Sequence, residues 1–140
     1  MRYWDSSALV PLLVNEAAAT RMSSFLEADR QVATWWGTIV ECTSALSRRR
    51  VDGSLDAAGY SSATDLLTSF AASWTEIPPG DSLREQAVRL VRLHRLRAAD
   101  AMQLAAAIVA SDFQPSALEF VTLDARQAEA AEREGFSVVG

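Results

Sequence analysis

Four carboxylates stand where a water-soluble chain has little reason to put them. Asp5 ends the short bulky run Arg2-Tyr3-Trp4 and precedes Ser6 and Ser7. Glu41 sits inside Ile39-Val40-Glu41-Cys42, on or near the buried side of a helix. Asp100 lies in the first turn of the most apolar stretch, Ala98 to Ala110, and Asp124 follows the run Phe120-Val121-Thr122. Burying an ionised carboxylate alone costs several kcal/mol, so such groups pair or bind a cation. Each also has a plain structural explanation. Asp5 and Asp124 could cap the helices that follow them. Asp100 could meet its helix dipole or pair with Arg97, and Glu41 could turn to solvent.

All 13 basic residues are arginine, so no lysine stands among the four acids to neutralise them. Clustered, they cannot all stay ionised without cations. Oxygen-only ligands select hard ions, Mg²⁺ or Mn²⁺. Such ions suit phosphodiester hydrolysis, one activating water and a second, where present, steadying the leaving oxygen. The missing lysine also excludes a phosphate-binding P-loop and argues against lysine-dependent phospho-aspartate domains. His94 is the single histidine and sits in an arginine-rich helix end, which argues against a histidine acid–base pair. A net charge of −5 means that nucleic-acid binding would rest on metal ions or local arginine clusters.

The elements that must position these acids alternate. Short strands are expected at Arg2–Trp4, Gln31–Thr34, Trp74–Ile77, Phe120–Thr122 and Ser137–Val139. Helical spacing fills the intervals: Ala8–Val14 after Ser6 and Ser7 as cap types, Thr20–Ala28, a helix from Thr38 as N-cap to Arg50, and one from Asp56 to Ser73. Ser82 and Glu85 have the spacing of a capping box, opening a helix that runs through His94. Ala98–Ser111 is apolar almost all round and should be buried. Asp124–Glu134 closes the series, with Glu129, Glu132 and Glu134 as its solvated face. Strands separated by helices imply an α/β fold: one domain over residues 1–140, with a central, mainly parallel sheet between helical layers. All four acids could then converge at the sheet's carboxyl edge, where open α/β sheets place their ligands. Cys42 is the single cysteine, which rules out an internal disulfide or a thiol-based zinc site. No apolar run approaches a membrane span and no signal peptide is visible, so a cytoplasmic protein with no membrane contact is expected. Trp35 and Trp36 cannot both face one core, so one of them should be exposed or covered by a partner or a second copy.

Five blocks, YWDSSALV from Tyr3, VECTSAL from Val40, LRAADAMQLA from Leu96, FVTLDAR from Phe120 and AAEREGF from Ala130, resemble in order and spacing the PIN-domain ribonucleases. The closest likeness is to the VapC-type toxins of bacterial type II toxin–antitoxin systems, and it spans essentially the whole chain. The resemblance implies a three-layer α/β/α PIN fold, Mg²⁺- or Mn²⁺-dependent endoribonuclease activity, homodimerisation and inhibition by a cognate antitoxin. Its acids fall on Asp5, Glu41, Asp100 and Asp124 as metal ligands and catalytic groups, with Asp5, Asp100 and Glu41 around the first ion. Ser6 and Thr122 match its supporting hydroxyls. Pro11 departs from a common polar position and should blur the first helix. Arg48, Arg49, Arg50, Arg92, Arg95 and Arg97 are candidates for contact with RNA phosphates, or are ordinary solvated or antitoxin-facing arginines. The competing readings are a catalytically silent PIN scaffold that binds a partner, and a phosphatase-like enzyme on a similar sheet. The second lacks support from a lysine or from an Asp-x-Asp after the first strand.

Overall fold

The structure, a computed structural model, describes all 140 residues. Five parallel strands form one sheet in the order β3-β2-β1-β4-β5. They are β1 (Arg2–Trp4), β2 (Val32–Trp35), β3 (Thr75–Ile77), β4 (Glu119–Val121) and β5 (Ser137–Val139). Seven helices connect them: α1 (Ser6–Val14), α2 (Ala19–Ala28), α3 (Thr38–Val51), α4 (Ala57–Ala71), α5 (Asp81–His94), α6 (Ala98–Ala110) and α7 (Ala125–Arg133). The alternation legible in the chain is therefore the architecture, with three strands shifted by a residue from the expected bounds.

Side-chain alternation along the strands divides the core into two layers. Tyr3, Ala33 and Phe120 point to one face, where they meet Leu83, Leu90, Leu104 and Ala131 of α5, α6 and α7. Trp4, Val32 and Val121 point to the other, against Leu9, Met22, Leu46 and Leu67 of α1 to α4. Tyr3 and Phe120 stack across β1 and β4 with ring centroids 5.4 Å apart. Covered on both faces, β1 can bury a bulky aromatic residue on each side, Tyr3 on one and Trp4 on the other, as parallel central strands do. In α6 every residue from Gln103 to Ile108 is buried, which the all-round apolar pattern requires. Pro11 lies inside α1, and the helix runs through it without interruption.

Strand order fixes where a ligand could sit. From β1 the chain winds outward to β2 and β3, then returns to the other side of β1 with β4 and β5. The winding reverses between β1 and β4, and the crevice outside their carboxyl ends is the place open sheets use for binding. No helix is long and apolar enough to cross a membrane.

Several helix starts differ from expectation. The cap of α1 is Asp5 itself, with Ser6 already helical. Gly37, not Thr38, occupies the cap position of α3. The capping box at Ser82 does not form. Extended Gly80 delivers the chain into α5 two residues early, and Asp81 at the first helical position takes Arg84 as its partner at 2.6 Å. Glu134 is no solvated residue either. Its side chain is 11% exposed and is held by Arg89 and by His94 Nε2 at 2.6 Å. Burial alone would raise the Glu134 pKa, but hydrogen bonds and charge from Arg89 and His94 outweigh it and hold the carboxyl below the usual range.

Candidate functional site

Asp5 is where the sheet's central strand hands over to a helix. Its side chain is 1% exposed. The carboxylate caps α1 by accepting the Ser7 N–H at 2.6 Å, and its other oxygen accepts the Ser7 hydroxyl at 2.8 Å and the hydroxyl of Thr122. The Thr122 bond spans the reversal point, because Thr122 follows β4 as Asp5 follows β1. The two loops are laced further: Leu123 N–H donates to Ser7 Oγ at 2.9 Å, and Asp5 N–H to the Val121 carbonyl at 3.1 Å. Burial pushes the Asp5 carboxyl up to about 6; bonds from Thr122 and Ser7 oppose the rise, and the Glu41 charge adds to it. So capping and a charge-bearing role coincide at one residue, and the cap does not explain why a carboxylate, costly to bury, is used.

Glu41 is half-buried in the first turn of α3 and is gripped on both oxygens. Oε2 accepts the Ser6 hydroxyl at 2.8 Å and Gln103 Nε2 at 3.1 Å; Oε1 accepts the indole N–H of Trp35 at 3.0 Å. Gln103 is fully buried, accepting Tyr3 OH at 2.8 Å while also donating to Thr38 Oγ1 at 3.0 Å. Thr38 pairs with Thr34 at 2.6 Å, and Thr34 donates to the Trp4 carbonyl at 2.8 Å. This satisfied polar chain runs through the core from β1 and β2 to Glu41. Such networks specify one arrangement, because any broken member leaves a buried group unpaired. Trp35 reaches Glu41 only because residue 37 is glycine: a Cβ there would stand 2.1 Å from the Trp35 ring.

Asp100 and Asp124 form the other half. Asp124 caps α7, accepting N–H bonds from Arg126 at 2.8 Å and Gln127 at 3.0 Å. Gln127 is buried and extends Nε2 toward Asp100 at 3.4 Å, while its Oε1 has no partner. Asp100 makes no ion pair with Arg97. The two acids instead line a concavity of roughly 350 Å³ together with Arg97, Ala125 and Arg126. Asp100 and Gln103 are three residues apart on α6 and share a face, so Asp100 is one turn from the amide that holds Glu41.

The structure thus brings the four acids to one edge as two pairs, Asp5 with Glu41 and Asp100 with Asp124. In this side-chain arrangement no three acids, imidazoles or thiols are gathered tightly enough to ligate one ion. The donor chemistry still fits a hard divalent cation, since the groups at this edge are carboxylates, hydroxyls and amide oxygens. Cys42 is excluded: burial pushes its thiol up to about 12, with the Glu41 and Asp5 charges adding to the rise.

No protein-family model matches the chain, and no curated protein sequence does. Among solved structures it is similar to the crystal structure of PAE2754 from Pyrobaculum aerophilum, with a TM-score of 0.62 and 23% identity over 93% of this chain and 84% of that one. That likeness shows the three-layer α/β/α fold.

The arginines sort by position. Arg48 and Arg49 line a groove of roughly 980 Å³ between α1 and α3 that begins at Ser6, Ser7 and Glu41, with Arg49 paired to Glu16. Arg97 borders the Asp100–Asp124 concavity. Arg50 is exposed at the end of α3. Arg92 opens onto a separate apolar groove between α5 and α6, and Arg95 is the left-handed residue ending α5. His94 is bound to Glu134, at the far end of α7 from Asp124, about 15 Å along the helix. Sequence patterning did not point to Ser7, Trp35, Gln103 or Gln127. A buried amide in an otherwise apolar helix, three residues after an acid, was the available signal for Gln103.

The raised Asp5 pKa has a thermodynamic consequence in metal-free protein. The folded state holds the proton up to about pH 6, while the carboxyl's ordinary value is 3.8. Between those values the folded state binds more protons than the unfolded, so stability falls as pH rises. The contribution is fully present below pH 4 and lost above pH 6, and is on the order of 2–3 kcal/mol. Urea melts in EDTA at pH 4 and pH 7 should show wild type losing that much relative to Asp5→Asn. A wild-type to variant difference equal at both pH values would contradict the assignment.

Proposed function

We propose that this protein is a Mg²⁺- or Mn²⁺-dependent endoribonuclease, the toxin component of a type II toxin–antitoxin pair, acting as a homodimer held in check by its antitoxin. The observation that carries the reading is a buried, charge-coupled carboxylate at the sheet's reversal point, with three further acids at the same edge. The resemblance of five sequence blocks to PIN-domain ribonucleases supports it independently.

Asp5, Glu41 and Asp100 would hold the first ion, directly or through water, and Asp124 a second ion or a bound water. A bound divalent ion supplies an activated water and neutralises charge building on the phosphate. The chain's own residues prepare for this. Ser7 and Thr122 fix the Asp5 carboxylate, while Ser6, Gln103 and Trp35 fix Glu41, and Asp100 would have to move toward this pair to share its ion. The Gln127 amide orients Asp100. Arg48 and Arg49 line the groove leading away from Glu41, where they can receive the phosphates of a strand. Arg97 does the same beside Asp100.

The test is to incubate the purified protein with single-stranded RNA and, separately, with a phosphomonoester, in Mn²⁺ and in EDTA. Metal-dependent RNA cleavage with no phosphomonoesterase activity is expected. Turnover of the phosphomonoester alone would favour the phosphatase-like alternative, and no turnover of either would leave a partner-binding scaffold.

A further inference from the structure

Trp36 is 54% exposed, and nothing in the fold requires an indole there. It is the first residue beyond β2, tied to the end of β3 by its N–H bond to the Ile77 carbonyl at 3.0 Å. That places it on the same carboxyl edge as Asp5. Its ring packs edge-on against Trp35, centroids 6.1 Å apart and planes at 72°. Trp35 in turn is anchored by its N–H bond to Glu41. A single side chain therefore separates the exposed indole from one of the four acids. Val40 at 64% exposure and Leu123 at 37% line the groove that begins at Glu41. Exposed apolar side chains that rim a polar site are one of the marks of a contact surface.

We infer that Trp36 is a nucleobase-stacking platform, which seats the base of a nucleotide flanking the cut phosphate; the inference rests on the endoribonuclease reading. The chemistry is complementary. Phosphates follow the groove with Arg48 and Arg49, acids handle the reacting phosphate, and the unstacked base needs an aromatic face. An exposed ring costs its base little to reach, and the Trp35 contact limits its motion, so little side-chain freedom is lost on stacking. The indole stands within one or two nucleotides' reach of Glu41. Because every base has a π face, this platform would favour single-stranded RNA over duplex without dictating sequence.

The test uses a short single-stranded oligoribonucleotide chosen from those the wild-type protein cuts in Mn²⁺, and a series of the same strand with one abasic residue walked across the cut. Base–aromatic stacking is worth about 1–3 kcal/mol, so Trp36→Ala should raise KM roughly 5- to 150-fold with a smaller effect on kcat. Equilibrium binding of the oligonucleotide in EDTA, followed by anisotropy, should weaken in parallel. Trp36→Phe should retain most of the affinity. At one abasic position wild type should lose as much as Trp36→Ala does, and the variant should lose nothing more, the coupling expected of a direct contact. Thermal melts of both variants should match wild type, since the ring is on the surface. Wild-type KM and binding in Trp36→Ala overturn the platform, as does a full abasic penalty in that variant. If Trp36→Ala instead changes only the oligomeric mass, the indole is a protein contact and the inference is wrong. Failure of the wild type itself to cut RNA would sink the endoribonuclease reading first.

Discussion

Asp100→Asn is expected to reduce RNA cleavage by about two orders of magnitude or more while leaving the fold intact, the scale seen when a preorganised electrostatic group is lost. Asp100 is half-buried in the first turn of α6, has no ion-pair partner and receives only the long Gln127 contact. Asparagine keeps its size and can still meet that amide and the helix N-terminus, but it carries no charge to hold a cation. Removing one of several neighbouring negative charges should stabilise the metal-free protein slightly or leave it unchanged. The decisive comparison is a melt in EDTA beside a cleavage assay in Mn²⁺. A variant that melts normally and is inactive matches the account. One that unfolds, while its remaining folded fraction cleaves at the parental rate, would make Asp100 a structural residue.

Saturating Mn²⁺ should raise the melting temperature by several degrees, and the rise should disappear in Asp5→Asn. The argument is mass action. An ion that binds only the folded edge stabilises it by about 2.7 kcal/mol at a hundred times its dissociation constant. For a domain of this size each kcal/mol moves the midpoint by roughly 2–6 °C. The effect should also depend on pH. Asp5, pushed up to about 6 by burial, must lose its proton to act as a ligand, so the Mn²⁺ shift should be large at pH 7.5 and small at pH 5. An unchanged midpoint at pH 7.5 across millimolar Mn²⁺ would count heavily against a metal site.

The layers and the parallel sheet follow from patterns a reader can count, bulky short runs, helical spacing between them and acids where strands end, whereas the strand order emerges only in the fold. Helix starts were less legible, because they turn on single backbone conformations. Extended Gly80 moves the start of α5 and leaves Ser82 inside the first turn, although Ser82 and Glu85 have the right spacing. Thr38 looked like a cap but spends its hydroxyl inside the core on Thr34 and Gln103. At the site the acids announced themselves by context, whereas the groups that hold them did not. Gln103 meets Tyr3 and Glu41 from 100 and 62 residues away, and local spacing carries no trace of such pairings. Ser6 and Ser7 divide the labour in a way their adjacency hides: Ser7 serves Asp5 twice, while Ser6 makes its short bond to Glu41. Glu134 fits the charged face of α7 by periodicity, and only the fold brings Arg89 and His94 against it.

The central claim is that the carboxylates at the β1–β4 reversal direct a metal-activated water onto an RNA phosphodiester. The chemistry of the product ends tests it most directly. Water attacking phosphorus with the 3′-oxygen as leaving group breaks the P–O3′ bond, and leaves a 5′-phosphate on one fragment and a 3′-hydroxyl on the other. Attack by the neighbouring 2′-hydroxyl needs general bases such as an imidazole pair, and leaves a 2′,3′-cyclic phosphate with a 5′-hydroxyl. The single histidine is bound to Glu134, away from the acids. RNA treated with the purified protein in Mn²⁺ should therefore carry 5′-phosphate and 3′-hydroxyl ends, and RNA treated in EDTA should stay intact. Cyclic phosphate ends that form equally in EDTA would contradict the account.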